Sequence, residues 1–265
     1  MRQPAYVLGD VHGQYDKVVR LLTGTRLLNA DLTWNAANAR LWFIGDFFDR
    51  GPGGLDIVNL VMALQPQAAV AGGEVGALIG NHEILLLAAR RFGERPTRRP
   101  GGTFTSDWLA NGGVAANLAA LTSEHIEWLS NLPAMALVQR RLLIHADANF
   151  YNRYGHSIEE VNHSLRALLH SNDAREWERL LDHFSERDTF FHDPKLAVEM
   201  LTMFGGRQII HGHTPISLIT GETPHQVVYP VSYAGGLCLN VDGGMYGGGW
   251  GFVYRLPALR AKNRA

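Results

Sequence analysis

Residues 77–84, "ALIGNHEI", decide how this chain is read. An apolar run stops at Gly80, and three polar side chains, Asn81, His82 and Glu83, follow without a break. Apolar residues then resume at helical spacing through "EILLLAARRF", residues 83–92. A buried strand that turns straight into a helix explains this order, with the polar residues at the junction. Four other runs have the same form: "AYVLGDVHG" (5–13), "RLWFIGDFFDRG" (40–51), "RLLIHAD" (141–147) and "RQIIHGHTP" (207–215). Each is short, rich in β-branched or aromatic residues and bounded by glycine, as expected of strands buried on both faces.

Helical patterns lie between these runs. "DKVVRLL" (16–22) and "LDIVNLVMAL" (55–64) space apolar residues at helical intervals. "SIEEVNHSLRALLH" (157–170) opens with Ser157 and Glu160, a predicted capping box. "DPKLAVEMLTMFG" (193–205) offers Asp193 as N-cap and Pro194 at the first helical position. Strand alternating with helix predicts an α/β fold. In open α/β sheets ligands bind at the carboxyl ends of strands, where every polar cluster here falls.

The chain has 265 residues, enough for one large domain, which is expected over residues 1–257. Residues 150–205 read as a polar helical segment beside the cleft, and 258–265 as a frayed tail. The net charge of −1 points to no polyanionic partner, so no nucleic acid is expected. No apolar run approaches the ~18 residues that a membrane span needs. The single cysteine, Cys238, excludes an intrachain disulfide, and the first residues do not read as a secretion signal. A cytoplasmic protein is therefore expected.

Asp10, His12, Asp46, Asn81, His145 and His213 form a set of oxygen and imidazole donors. Such donors suit manganese, iron or zinc better than calcium or magnesium, which prefer all-oxygen shells. Six ligands exceed the four of a structural zinc site and fit two ions sharing a carboxylate. Two ions ~3.5–4 Å apart are a common device for in-line attack on phosphorus.

"GDVHGQ", "GDFFDRGP", "GNHE", the histidine of "LLIHAD" and "GHTP" occur in this order and resemble the calcineurin-like metallophosphoesterases, specifically the phosphoprotein phosphatase family of bacterial and bacteriophage type. "LNVDGGMYGGGW" resembles that family's closing Asp-Gly segment. The resemblance implies a two-sheet mixed β-sandwich flanked by helices, which strand patterns alone do not distinguish from one doubly wound sheet. It implies that Asp10 and His12 hold the first metal, that Asp46 bridges, and that Asn81, His145 and His213 hold the second. Manganese is the first expectation, with iron or zinc as alternatives. A metal-bridging hydroxide would attack a phosphate monoester in line, with His82 as the acid that protonates the leaving oxygen. Asp49 would orient His82, and Arg50 would grip phosphate oxygens with its planar fork.

The family supplies a second phosphate-binding arginine between the fourth and fifth motifs. Arg187, in the loop-like "SERDTF", is the choice here. Glu83 reads equally as a support for the metal ligands or as a helix-start carboxylate. His211 and Trp108 read as structural, and Asp147 either as a support or as a loop residue. The arginine-rich "RRFGERPTRRPGG" (90–102) reads as a solvated loop or a basic rim near the metals. The expected substrate is a phosphorylated Ser, Thr or Tyr residue of a protein, or a small phosphoester. Symmetrical diadenosine tetraphosphate hydrolysis is the alternative; those hydrolases more often carry Asp where Glu83 stands. A catalytically dead phosphoprotein-binding module is the third reading. Sequence assigns no oligomeric state.

Overall fold

Apolar alternation along the strands sets the layers of this molecule, which a computed structural model describes for residues 3–257. The expected tail at 258–265 lies outside the described residues. The first half runs β1 (Ala5–Leu8), α1 (Tyr15–Gly24), β2 (Arg40–Phe43), α2 (Gly54–Val70), β3 (Glu74–Ala77), α3 (Asn81–Phe92), α4 (Phe104–Ala110), α5 (Ala115–Ala120) and α6 (Ser123–Ser130). It continues with β4 (Met135–Val138), β5 (Arg141–Ile144), α7 (Ile158–His170), α8 (Ala174–Phe184), α9 (Thr189–His192), α10 (Pro194–Phe204), β6 (Gln208–His211), α11 (Ile216–Thr220), β7 (Val231–Tyr233), β8 (Cys238–Asn240) and β9 (Val253–Arg255).

Two mixed sheets result. One has the order β3-β2-β1-β9, with β9 antiparallel to β1 and the other pairs parallel. The second has the order β4-β5-β6-β8-β7, parallel at its centre and antiparallel at both edges. Ala5, Val7, Trp42, Leu143, Ile210 and Leu239 form the apolar layer between the sheets. The alternate residues Leu8, Leu41, Phe43, Leu142, Ile144 and Ile209 face outward into a larger core with the helices. Strands buried on both faces are what the continuous apolar runs require. This is the expected two-sheet α/β sandwich.

Helix starts follow the residue chemistry. Asp193 accepts the Lys195 N–H with Pro194 in the first turn of α10. Ser157 accepts the Glu160 N–H at 3.1 Å, but the Glu160 carboxylate accepts from His156 N at 2.8 Å, one residue before the cap. The expected capping box is thus met in one half and displaced in the other. The segment 150–205 is helical as expected, and its α8 packs beside α3. Among the described residues no helix is long and apolar enough to cross a membrane.

Candidate active site

Six loops at strand ends converge in one buried cluster. Asp10, His12, Asp46, Asp49, His82, Glu83, His145, His213 and Asp242 are each at most 6% exposed, with Asn81 at 9%. His12, Asp46, Asp49, Arg50 and His213 all adopt left-handed backbone. Each such residue costs roughly 1–3 kcal/mol and persists only where its surroundings dictate it. Close approach demands glycine at two points. A Cβ on Gly80 would lie 2.2 Å from Asp46 Oδ1, and one on Gly212 would lie 2.0 Å from Asp10 Oδ1.

Hydrogen bonds fix the imidazole tautomers. His12 Nδ1 donates to the Phe48 carbonyl at 3.0 Å and His145 Nδ1 to the Ile44 carbonyl at 2.8 Å. A carbonyl only accepts, so each Nε2 carries its lone pair into the cluster. His12 Nε2 lies 3.5 Å from Asp46 Oδ2, and His145 Nε2 lies 3.4 Å from Asp46 Oδ1. Asp46 thus turns one oxygen to each histidine. Asn81 Oδ1 lies 3.0 Å from His145 Nε2 and 2.9 Å from His213 Nδ1. Asp46, His145 and His213 form one possible metal triad, and His12, Asp46 and His82 another. Asp10 belongs to neither: both its oxygens accept from the His213 N–H, at 3.1 and 3.0 Å.

Electrostatics separates His82 from the other three histidines. Burial lowers His12 to about 3 and lowers His145, and burial with the nearby His145 lowers His213 well below the ordinary value. These imidazoles stay neutral, the form that binds metal. Burial also pulls His82 down, but the Asp46 charge and the Asp49 hydrogen bond and charge outweigh it, and the net shift is upward. His82 Nδ1 donates to Asp49 Oδ2 at 2.7 Å.

A cation fits the remaining groups. Burial raises Asp10, with Asp242 and Asp46 adding like-charge repulsion. Burial likewise raises Asp242 to about 7. Asp242 Oδ2 and His213 Nε2 are buried without a hydrogen-bond partner. Convergent lone pairs and crowded buried carboxylates are what divalent ions neutralise.

Arg50 is exposed, and its Nη1 and Nη2 lie 3.0 Å from His12 Nε2 and 3.2 Å from His82 Nε2. Tyr246 lies under the guanidinium, 4.0 Å from ring centre to Cζ. Lys17 Nζ donates to the Met245 and Gly249 carbonyls at 2.8 Å each, which ties the Tyr246 loop to α1. Arg187 is also exposed, and its charge lowers both His213 and Asp242. Asp147 joins the loops of these two residues: it accepts from Asp188 N at 3.0 Å and from the Thr214 hydroxyl at 2.8 Å. His211 is buried, with Nε2 2.8 Å from the Tyr233 hydroxyl.

Glu83 serves both sequence readings at once. Its carboxylate accepts from Asp46 N and Phe47 N at 2.8 Å, Gly80 N at 2.9 Å and Phe48 N at 3.4 Å. It therefore starts α3 and also holds the loop that carries Asp46. Burial and the Asp46 charge push it up to about 8, against the pull of these donors. Glu83→Gln replaces one accepting oxygen with a donor. We expect a destabilisation of roughly 1–3 kcal/mol per amide left without an acceptor. Thermal unfolding of metal-free protein measures it, and an unchanged midpoint would show the cradle to be dispensable.

The arginine-rich loop is largely exposed, as the solvated reading expects, and is tethered by ion pairs. Arg98 pairs with Glu178 and Asp182 of α8, and Arg99 with Asp107 of α4 at 3.0 Å. Beneath it a cleft of about 520 Å³ runs from Asn81 past Leu85, Ala88, Phe104 and Leu181. Sequence reasoning did not assign Asp242, Tyr246 or Lys17 to the site. The "VDGGMYGGG" segment holding two of them was legible as resembling the family's closing Asp-Gly segment, with no role for either residue.

A two-sheet α/β sandwich with a nitrogen and oxygen donor cluster at its strand ends defines the metallophosphoesterase class. This chain belongs to the calcineurin-like phosphoesterase family, whose model matches residues 4–217. That family uses divalent metals. The chain is 28% identical over 167 residues to the symmetrical bis(5'-nucleosyl)-tetraphosphatase of Enterobacter sp. (strain 638), covering 63% of this chain and 50% of that one. It spans about half the length of the curated relatives it matches. A cold-active protein-tyrosine phosphatase of a psychrophilic Shewanella shares the fold, with a TM-score of 0.71 and 22% identity over 97% of this chain and 76% of that one. A protein serine/threonine phosphatase from Saccharomyces cerevisiae aligns with a TM-score of 0.54 and 14% identity over 98% and 82% of the respective chains.

Proposed function

We propose that this chain is a two-metal phosphatase that hydrolyses phosphate monoesters on proteins. The observation that carries the reading is the division of one buried cluster into three neutral imidazoles and a fourth, His82, held by Asp49 and shifted upward. In this reading Asp10 and His12 would hold one ion, Asn81, His145 and His213 would hold the other, and Asp46 would serve both. The mixed imidazole and oxygen set suits manganese, with iron or zinc as alternatives. Bound ions supply Lewis acidity toward phosphoryl oxygens and acidify water.

The chain's own residues do the rest. Arg50, resting on Tyr246, trades its imidazole neighbours for phosphoryl oxygens and stabilises their growing charge. Arg187 approaches from the opposite loop as a second phosphate ligand, and Asn81 adds a contact beside its metal. His82, shifted upward by the Asp46 charge and by its hydrogen bond to Asp49, delivers a proton from Nε2 to the leaving oxygen. An inert phosphoprotein binder would not need this acid.

The mixed lining of the cleft that starts at Asn81, where Leu85, Ala88, Phe104 and Leu181 lie among polar side chains, and the pairing of Arg98 and Arg99 with carboxylates support a peptide leaving group. The similarity to symmetrical tetraphosphatases favours a second reading, cleavage of diadenosine tetraphosphate. Manganese-loaded enzyme should turn over phosphopeptides faster than diadenosine tetraphosphate, and a chelator should abolish both activities. Turnover of the dinucleotide alone would decide for the second reading, and full activity in stripped enzyme would rule out both.

A further inference from the structure

The segment "SDWLANGG", residues 106–113, touches the site without belonging to any of its five motifs. Trp108 is 1% exposed, and its Nε1–H donates to Asp49 Oδ1 at 2.8 Å. The other Asp49 oxygen accepts from His82 at 2.7 Å. Four residues on, the Gly112 carbonyl accepts from Arg50 N at 2.8 Å. One short helix and its terminal turn therefore hold both Asp49 and Arg50, neighbours that each adopt left-handed backbone.

The glycines make the grip possible. A Cβ on Gly113 would lie 2.4 Å from the Trp108 ring, and one on Gly112 would lie 2.9 Å from the Arg50 side chain. The left-handed Gly112 then turns its carbonyl back to Arg50. A buried carboxylate with one oxygen unbonded can rotate toward another donor, whereas one bonded at both oxygens is held in a single rotamer.

We infer that Trp108 is a positioning residue for leaving-group protonation: its indole N–H fixes the Asp49 carboxylate, which aims His82 at the departing oxygen. A space filler in the core would need no N–H, so Trp108→Phe isolates the role. The inference rests on His82 acting as the acid under the proposed function.

Leaving-group dependence provides the test. A leaving oxygen of low pKa departs without a proton, and an alkoxide does not. Trp108→Phe should lower kcat about tenfold or more on an alkyl phosphate such as a phosphoserine peptide, and less than about threefold on para-nitrophenyl phosphate. Bound metal should be unchanged. In a His82→Asn background the same substitution should cost less than about twofold, because the group it positions is gone. Equal losses on both substrates, loss of metal, or a full effect in the double variant would overturn the inference. Gly113→Ala displaces the ring without removing its N–H and should give the same substrate-dependent loss, so it decides the matter if Trp108→Phe does not fold. If His82→Asn itself loses activity evenly across leaving groups, the acid assignment fails instead.

Discussion

His82→Asn is expected to keep its metal and to lose about 10²–10⁴ in kcat on an alkyl phosphomonoester, the range general acid catalysis supplies. The imidazole stands outside the neutral trio. Its Nδ1 is committed to Asp49 at 2.7 Å, and its Nε2 is 4.0 Å from the nearest Asp46 oxygen. Asparagine preserves a polar side chain at the start of α3 but has no proton to give. The upward shift of His82 moves the alkaline limb of the wild-type rate profile upward from the ordinary histidine value. That limb should vanish in the variant. Metal content and kcat across pH measure both effects. A variant that keeps the limb, or loses its ions, would remove His82 from the acid role.

Asp46→Asn should be at least as damaging, by a different route. The two carboxylate oxygens face His12 at 3.5 Å and His145 at 3.4 Å, and Oδ1 also accepts the His82 N–H at 3.1 Å. An amide presents an acceptor to one side and a donor to the other, so it cannot serve two cations. It also removes the negative charge that offsets the burial of His82. Residues that merely support metal ligands are worth 10–100-fold in affinity or activity, so the loss here should exceed about 100-fold in both. Metal titration by calorimetry, run beside the phosphatase assay, checks it. Near-normal stoichiometry and rate would refute a bridging carboxylate.

The same two residues show what was legible in the chain. Asp46 and His82 stand out because each follows an apolar run that ends in glycine, and the run marks a strand. Five such runs located the strands that carry the cluster, and helical spacing located the helices between them. Four further strands went unread. β8 is three residues long and lies inside the second sheet between β6 and β7, and β4, β7 and β9 pair as edges. Three-residue β7, β8 and β9 carry too little periodicity to separate them from loop, and β4, as long as the strands that were read, lacks the glycine and polar cluster that marked those. Arg98 shows a different limit: the Pro- and Gly-rich arginine tract is exposed as it reads, but nothing in it announces the ion pairs that Arg98 makes with α8, some 80 residues on.

Sequence by itself determined the α/β class, the strand termini and the order of the polar residues at them, because burial patterns and turn chemistry are local. The tertiary structure alone decided which histidines are lowered and which one is shifted upward, since desolvation and Coulomb interaction depend on distance through space. It alone brought Trp108 to Asp49, 59 residues away, and Asp242 to Asp10. No spacing along the chain encodes those approaches; the packing of α4 on α3 accompanies the first, and the apposition of the two sheets creates the second.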